Sequence, residues 1–358
     1  MSTLSDPKVT LWYTRCSVPT AFGLAVRNGL IEKEFEDDVD VAFVPLQTSP
    51  DPKVHQSHYT HTQPNSFRHG GNSPAIWAQA NGADTKIIGI SWIEFPQTIL
   101  ALPDSGIKSV KDLKGKRLLI LKRANEPIDF WYALSLRIYE KALATAGLTL
   151  KDVNLVEHIV DRSFINDHRG ASESQNAAVP RSRRGQGWYL DSLSPLLREE
   201  VDVIPTQFGH VQSLLGGDVI FDLAWLPNRL DRVNNDYPYV FAVNAGLIEE
   251  RPDLVARIYA RVLEAIEWSK RYPADTIRAI AQEQVTSEAV AKKTFGAALK
   301  GGLDLDLDPE GVQALQLQKD FLLKHGLIKK DFDVEKWVDP RPLAAARRLL
   351  AERTVPNI

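Results

Sequence analysis

Short apolar runs alternate with amphipathic segments over the first two thirds of the chain, and this pattern predicts an α/β protein with mostly parallel sheets. Runs rich in β-branched and aromatic residues predict strands at residues 9–14, 39–44, 86–92, 97–102, 117–121, 153–159 and 219–224. Helical spacing predicts connecting helices at 19–28, 74–81, 130–146 and 207–215. From about residue 253 the pattern is helical throughout, with helices predicted at 254–269, 274–284, 288–299, 309–325 and 342–352.

Two proline-containing turns interrupt the alternation, and we interpret them as domain crossings. One begins at Leu102-Pro103 and the other at Trp225-Leu226-Pro227. A chain that leaves one domain, builds a second and returns forms two lobes with a cleft between them, where small ligands usually bind. The predicted lobes are residues 1–103 with 228–358, and residues 104–227. The polar segment 162–186 is either a lid or disordered.

Composition narrows the classes of function. The 358 residues carry a formal net charge of -3, which gives no reason to expect nucleic acid or a membrane surface as a partner. Neither an apolar export signal nor a run of about 18 apolar residues is present, and one cysteine permits no internal disulfide. These features predict a cytoplasmic protein.

The only cysteine, Cys16, follows the first predicted strand and precedes a predicted helix start at Ser17-Val18-Pro19. The partial positive charge of a helix N-terminus favours the thiolate, which is the reactive form of a cysteine. A free cysteine that packs as a small hydrophobic residue is the alternative interpretation.

A second candidate region is residues 55–74, which we interpret as one long polar loop that holds four of the eight histidines. It leads into a helix with Asn72 or Ser73 as the predicted cap and Pro74 at the first helical position. Arg68 and the backbone N–H groups of Gly70 and Gly71 would form a cradle for a two-oxygen anion. An ordinary solvated loop is the alternative. No carboxylate or second cysteine joins the histidines at ligand spacing, so no metal site is predicted.

Two segments, residues 29–35 and 107–117, resemble the sulfonate- and nitrate-type solute-binding proteins of ABC transporters. This resemblance covers most of the chain. It implies an α/β, two-lobed periplasmic-binding-protein-like (type II) fold with an interlobe cleft.

Within that group the chain resembles the 2'-hydroxybiphenyl-2-sulfinate desulfinases of dibenzothiophene desulfurisation. Residues 13–19 match the family's catalytic cysteine segment, 58–64 its histidine segment, and 68–71 its Arg-Phe-Gly-Gly segment; 217–219 and 225–227 match two later motifs. The resemblance implies that Cys16, His58 and Arg68 are catalytic, and that Thr14, Gln63, Gly70, Gly71 and Trp225 bind the substrate. Arg15, Ser17 and the 162–186 segment depart from the family pattern.

The implied activity is hydrolysis of the carbon–sulfur bond of an aromatic sulfinate by a monomer that uses no metal or cofactor. Cys16 would either attack sulfur as a thiolate or protonate the ring carbon as a thiol, and His58 would set its protonation or orient it. Cys16, His58 and Arg68 should then converge on the cleft. A solute-binding protein for an aromatic sulfonate, sulfinate or carboxylate is the first alternative. The second, a pyrimidine-synthase-like enzyme that uses iron, is disfavoured because no cysteine-rich motif is present.

Overall fold

A computed structural model describes residues 8–16, 18–161, 186–207, 216–284 and 286–354. The chain divides into two compact units. Unit 1 comprises residues 1–93, 236–291 and 296–358, and unit 2 comprises residues 94–235 and 292–295. None of the described helices is long and apolar enough to cross a membrane.

The described strands form two five-stranded sheets, one in each unit. Their bounds are β1 Val9–Arg15, β2 Val41–Pro45, β3 Ser66–Gly70, β4 Thr85–Ser91, β5 Gln97–Ala101, β6 Arg117–Arg123, β7 Asn154–Val160, β8 Val203–Gln207, β9 Asp218–Asp222 and β10 Tyr239–Asn244. Sheet 1 has the order β2-β1-β3-β10-β4, and sheet 2 has the order β7-β6-β8-β5-β9. In each sheet the fourth position is held by a strand antiparallel to both of its neighbours, β10 or β5.

Helices occupy most of the connections and the C-terminal third. Their bounds are α1 Ala21–Arg27, α2 Leu30–Glu34, α3 Pro52–Thr60, α4 Asn72–Ala80, α5 Phe130–Thr145, α6 Gln186–Leu197, α7 Ala245–Glu250, α8 Pro252–Arg271, α9 Pro273–Glu283, α10 Glu288–Phe295, α11 Pro309–Lys324, α12 Val334–Trp337 and α13 Arg341–Thr354. The core of unit 1 includes an aromatic cluster in which Phe22 of α1 packs on Phe67 of β3 and Phe241 of β10. This packing fixes β3 at the centre of sheet 1.

The predicted α/β class is confirmed, but the sheets are mixed rather than mostly parallel. The loop predicted at 55–74 is wrong, because that stretch holds most of helix α3 and the central strand β3. Asp51 caps α3 by accepting a hydrogen bond from the Lys53 N–H at 2.8 Å, and Pro52 occupies the first turn. This Asp-Pro start is a sequence signal for a helix that the prediction missed.

The chain crosses between units near residues 94 and 236 rather than 104 and 228. Strand β5, assigned to the first lobe by sequence, pairs instead with β8 and β9 in sheet 2. The unit to which β5 belongs is decided by its pairing with β8 and β9, which lie far along the chain. The turn at Leu102-Pro103 contains no information about that pairing. The segment 162–186 is interpreted from the sequence as a lid or as disordered, and its residues 162–185 lie outside the described residues. The predicted helix at 207–215 also lies outside them, except for Gln207, which ends β8.

Candidate active site

The candidate site forms where β1 and β3 end side by side in sheet 1. The two strands are parallel, and their register places Thr14 opposite Arg68. Side chains alternate between the faces of a sheet, so Arg68 and Gly70 lie on one face and His69 on the other. Cys16, two residues beyond Thr14, therefore reaches Gly70.

Contact between Cys16 and Gly70 is close enough to require glycine. A Cβ built on Gly70 would lie 2.9 Å from Cys16 Cβ and closer still to Sγ, and 3.6 Å from Arg68 Nη2. Neither Gly70 nor Gly71 is among the described glycines that have a positive φ. Gly70 therefore serves the close approach of the thiol rather than a left-handed turn.

The helix that influences Cys16 is α4 rather than the one that follows it in sequence. Helix α1 begins only at Ala21, capped by the Thr20 side chain, which accepts a hydrogen bond from the Gly23 N–H. The N-cap of α4 is Gly71, whose backbone N–H donates a hydrogen bond to the Cys16 sulfur. The predicted caps, Asn72 and Ser73, lie instead in the first turn of α4 and are fully buried.

Cys16 is a thiol rather than the thiolate that its sequence position suggests. Burial raises the pKa of the Cys16 thiol, because a charged sulfur would lose its hydration. The Arg68 guanidinium and the Gly71 N–H lower that pKa, whereas the carboxylate of Asp236 raises it. Burial outweighs the favourable charge, so the group is protonated at neutral pH. Nothing in the sequence pointed to Asp236.

Arg68 is a buried cation that forms no ion pair with a carboxylate of the described residues. Its side chain is 5% exposed, and its Nη1 donates a hydrogen bond to the Gly71 carbonyl at 2.7 Å. Arg68 Nε has no hydrogen-bond partner, and no carboxylate in the described ranges forms an ion pair with Arg68. Because a buried charge is costly unless it is paired, this arrangement favours an anionic ligand.

His58 reaches the site through Thr14. His58 Nδ1 and Thr14 Oγ1 lie 2.5 Å apart, both residues are buried, and Gln47 Nε2 donates to the same hydroxyl at 3.3 Å. Gln63 is half-buried, and its backbone N–H donates to Ser57 Oγ at 2.8 Å. The structure therefore places Thr14, His58, Arg68, Gly70 and Cys16 in one continuous cluster.

Of the other three histidines in residues 55–74, His61 and His69 are buried and His55 is half-buried. His69 packs on Phe241 with ring centroids 5.3 Å apart, and its Nε2 lies 3.1 Å from Ser91 Oγ. Burial, reinforced by Arg68, lowers the pKa of His69 to about 3. The same two causes hold the pKa of His61 well below its usual value. His55 is engaged by the Ser49 carbonyl.

Trp225 belongs to unit 2 and is 60% exposed, whereas the Cys16 cluster belongs to unit 1. Its approach to Cys16, and the convergence of the site on a cleft, stay predictions. Within the described ranges no three His, Cys, Asp or Glu side chains are grouped so that they could hold a metal ion.

Comparisons with known proteins show what the chain is similar to. A family model described as "NMT1/THI5 like" matches residues 68–168. The 2'-hydroxybiphenyl-2-sulfinate desulfinase of Rhodococcus erythropolis is 24% identical over 351 residues, covering 92% of each chain. The crystal structure of desulfurization enzyme DSZB superposes with a TM-score of 0.74 at 21% identity, covering 95% of this chain and 99% of that one.

A cysteine-to-serine mutant of DSZB has been crystallised in complex with biphenyl-2-sulfinic acid, and it superposes with a TM-score of 0.72. The periplasmic aliphatic sulphonate binding protein SsuA from Escherichia coli superposes with a TM-score of 0.64 at 17% identity, covering 92% of this chain and 91% of that one. The chain thus has the predicted periplasmic-binding-protein-like fold, and over nearly its whole length it resembles the 2'-hydroxybiphenyl-2-sulfinate desulfinases.

Proposed function

We propose that this protein is an aromatic sulfinate desulfinase, which hydrolyses the carbon–sulfur bond of a substrate such as 2'-hydroxybiphenyl-2-sulfinate to the arene and sulfite. The observation that carries the proposal is the buried Arg68, which pairs with no carboxylate of the described residues, beside the Cys16 thiol. The guanidinium supplies the positive partner for a two-oxygen anion, and the thiol supplies a proton close to it.

In the proposed mechanism the Cys16 thiol protonates the ring carbon that bears sulfur. The electron pair of the carbon–sulfur bond stays with the ring, and the C–H bond forms as the S–H bond breaks. Water adds to the sulfur and releases one proton, which returns to the Cys16 thiolate. The sum is ArSO₂⁻ + H₂O → ArH + HSO₃⁻, which balances in atoms and charge. Because burial raises the pKa of Cys16, proton donation is favoured over attack by a thiolate.

Arg68 would hold the sulfinate oxygens, and the Gly71 N–H would stabilise the transient thiolate. The Thr14 hydroxyl, bonded to His58, lies beside Arg68 at the adjacent strand end and would orient the sulfinate or the water. Gln63 and Trp225 would contact the substrate as the family resemblance implies. In this proposal the enzyme acts as a cytoplasmic monomer and needs no metal, so prior treatment with a chelator should leave sulfite release unchanged.

Two variants test the division of labour between Cys16 and Arg68. Cys16→Ser should abolish sulfite release while it still binds biphenyl-2-sulfinate, because a serine hydroxyl is a far weaker acid and nucleophile at neutral pH. Arg68→Ala should lose both sulfite release and binding of the sulfinate. The binding free energy should weaken by about 2–5 kcal/mol if the pair of guanidinium and anion is desolvated. Sulfite release and calorimetric binding, measured on the same preparations, separate the two roles.

A solute-binding protein for an aromatic sulfonate, sulfinate or carboxylate would behave differently. Its wild type would form no sulfite, and Cys16→Ser would leave its affinity unchanged. Undiminished turnover in Cys16→Ser would overturn the mechanism. A binding function needs no thiol, so the contact of Cys16 with Gly70 and with the Gly71 N–H supports the enzyme.

A further inference from the structure

A small pocket in unit 1 lies against Arg68 but is not lined by Cys16, Gly70 or Gly71. Its polar walls are Thr14, Ser57, His61, Ser66, Arg68 and Thr85. The space admits about one water molecule and is too small for an aromatic substrate. The pocket is therefore separate from the face of Arg68 that meets the thiol.

Two buried polar atoms on residues that line this pocket have no partner among the described residues. They are His61 Nε2 and Arg68 Nε, on side chains that are 4% and 5% exposed. Buried polar atoms of this kind almost always have a protein or water partner. Arg68 Nε–H can only donate, so its partner must accept.

His61 is suited to complete such a contact. Burial and the neighbouring Arg68 lower its pKa, so the ring is neutral and one of its nitrogens can accept a hydrogen bond. A water in the pocket can accept from Arg68 Nε–H and donate to His61 Nε2. Four of the lining residues carry a hydroxyl, namely Thr14, Ser57, Ser66 and Thr85, and these can give the second proton of the water a partner.

We infer that His61 is a positioning residue that, through one buried water, fixes the Arg68 guanidinium in the orientation that serves Cys16 and the anion. His61 does not touch the reacting atoms in this arrangement. The role in anion binding rests on the proposed function, whereas the effect on the Cys16 thiol does not.

Two substitutions of His61, by glutamine and by asparagine, separate the positioning role from a purely structural one. His61 follows α3 as its C-cap and lies in the left-handed region, at φ 52° and ψ 30°, a conformation that asparagine tolerates better than glutamine. The longer glutamine places its amide near the position of Nε2, whereas asparagine reaches only the level of Nδ1. A positioning role predicts that His61→Gln resembles the wild type and His61→Asn does not. A purely structural role predicts the reverse order.

The first measurement is the pH profile of Cys16 alkylation by iodoacetamide, without substrate. Cys16 is the only cysteine, so the modified mass reports it alone. A displaced Arg68 stabilises the thiolate less. We expect alkylation at a fixed pH below the thiol pKa to slow about threefold in His61→Asn, half a pKa unit, and to stay at the wild-type rate in His61→Gln. Equal profiles in all three proteins, or the reverse order, would overturn the inference.

The second measurement is calorimetric binding of biphenyl-2-sulfinate to the same proteins. We expect Kd to rise about tenfold in His61→Asn and to be unchanged in His61→Gln. If the alkylation profiles shift as expected but the wild type neither binds the sulfinate nor releases sulfite, the proposed function fails and the positioning role stands. A crystal structure of the wild type with a dry pocket would contradict the water bridge whatever the kinetics show.

Discussion

At the scale of single residues, the protonation state of Cys16 is set by four neighbouring effects of opposite sign. Burial and Asp236 favour the thiol, and Arg68 and the Gly71 N–H favour the thiolate. Burial is the largest of the four effects, so the pKa of the Cys16 thiol is raised and the group is protonated at neutral pH. An anion bound at Arg68 would reinforce this state, because it would cancel the charge that favours the thiolate.

The two charged neighbours of Cys16 provide a matched pair of substitutions. Arg68→Gln should raise the thiol pKa further, and Asp236→Asn should lower it, because each removes one charge of known sign. The rate of iodoacetamide alkylation between pH 7 and pH 10 measures both shifts. If the pKa of the thiol shifts in the same direction in both variants, the electrostatic account is contradicted and a change of burial is indicated instead.

At the scale of elements, strand β3 brings Arg68 and Gly70 to the site, although its sequence, Ser66-Phe67-Arg68-His69-Gly70, contains one large apolar residue. Pairing with β1 on one side and β10 on the other buries its last four residues. Hydrogen bonding to two neighbours, rather than local β propensity, maintains this strand. Because β3 is buried, an anion bound at Arg68 would be held strongly.

The close approach of β3 to Cys16 predicts a severe effect of Gly70→Ala. The new Cβ would overlap the Cys16 side chain, so we expect the loss of most sulfite release and a drop in the free energy of unfolding of about 1–3 kcal/mol. Gly246→Ala is the control, since a Cβ there meets nothing within 4 Å. Urea unfolding and a sulfite assay compare them. The account fails if Gly70→Ala is as active and as stable as Gly246→Ala.

At the scale of the whole molecule, the two sheets repeat one strand order. In each unit the strand antiparallel to its neighbours follows a crossing of the chain: β5 begins soon after residue 94, and β10 soon after residue 236. The two units thus have related topologies that the sequence pattern does not reveal. Cys16 and Arg68, the two residues on which the proposed reaction depends most, both belong to unit 1.

Acid should destabilise unit 1 through its buried neutral histidines. The pKa of His69 is about 3 in the folded chain against 6.5 normally, so its stabilising contribution is complete above pH 6.5 and is lost as the pH falls towards 3. Below pH 6 we expect the slope of the unfolding free energy against pH to be about 1.4 kcal/mol per pH unit smaller in His69→Gln than in the wild type.

Ser91→Ala is the matched control, because it removes the hydrogen-bond partner of His69 but leaves the titrating ring. Urea unfolding at pH 7, 6 and 5 gives the slopes of all three proteins. An identical slope in the wild type and His69→Gln would show that other groups carry the acid sensitivity.

The sequence by itself determined the α/β class, most strands and helices, and the order of the segments that hold Cys16, His58 and Arg68. These features are local: apolar periodicity, capping residues and short motifs lie within a few residues of what they specify. It could also predict that Arg68 binds an anion, because a guanidinium beside Gly70 and Gly71 has that chemistry in most settings.

Only the tertiary structure decided that β3 is a central strand, that Gly71 of α4 rather than the start of α1 faces Cys16, and that the thiol is protonated. The assignment of β5 to unit 2 and the role inferred for His61 belong here too. Each depends on pairing, burial or charge contributed by residues distant in the chain. Such contributions act through space, so no window of sequence contains them.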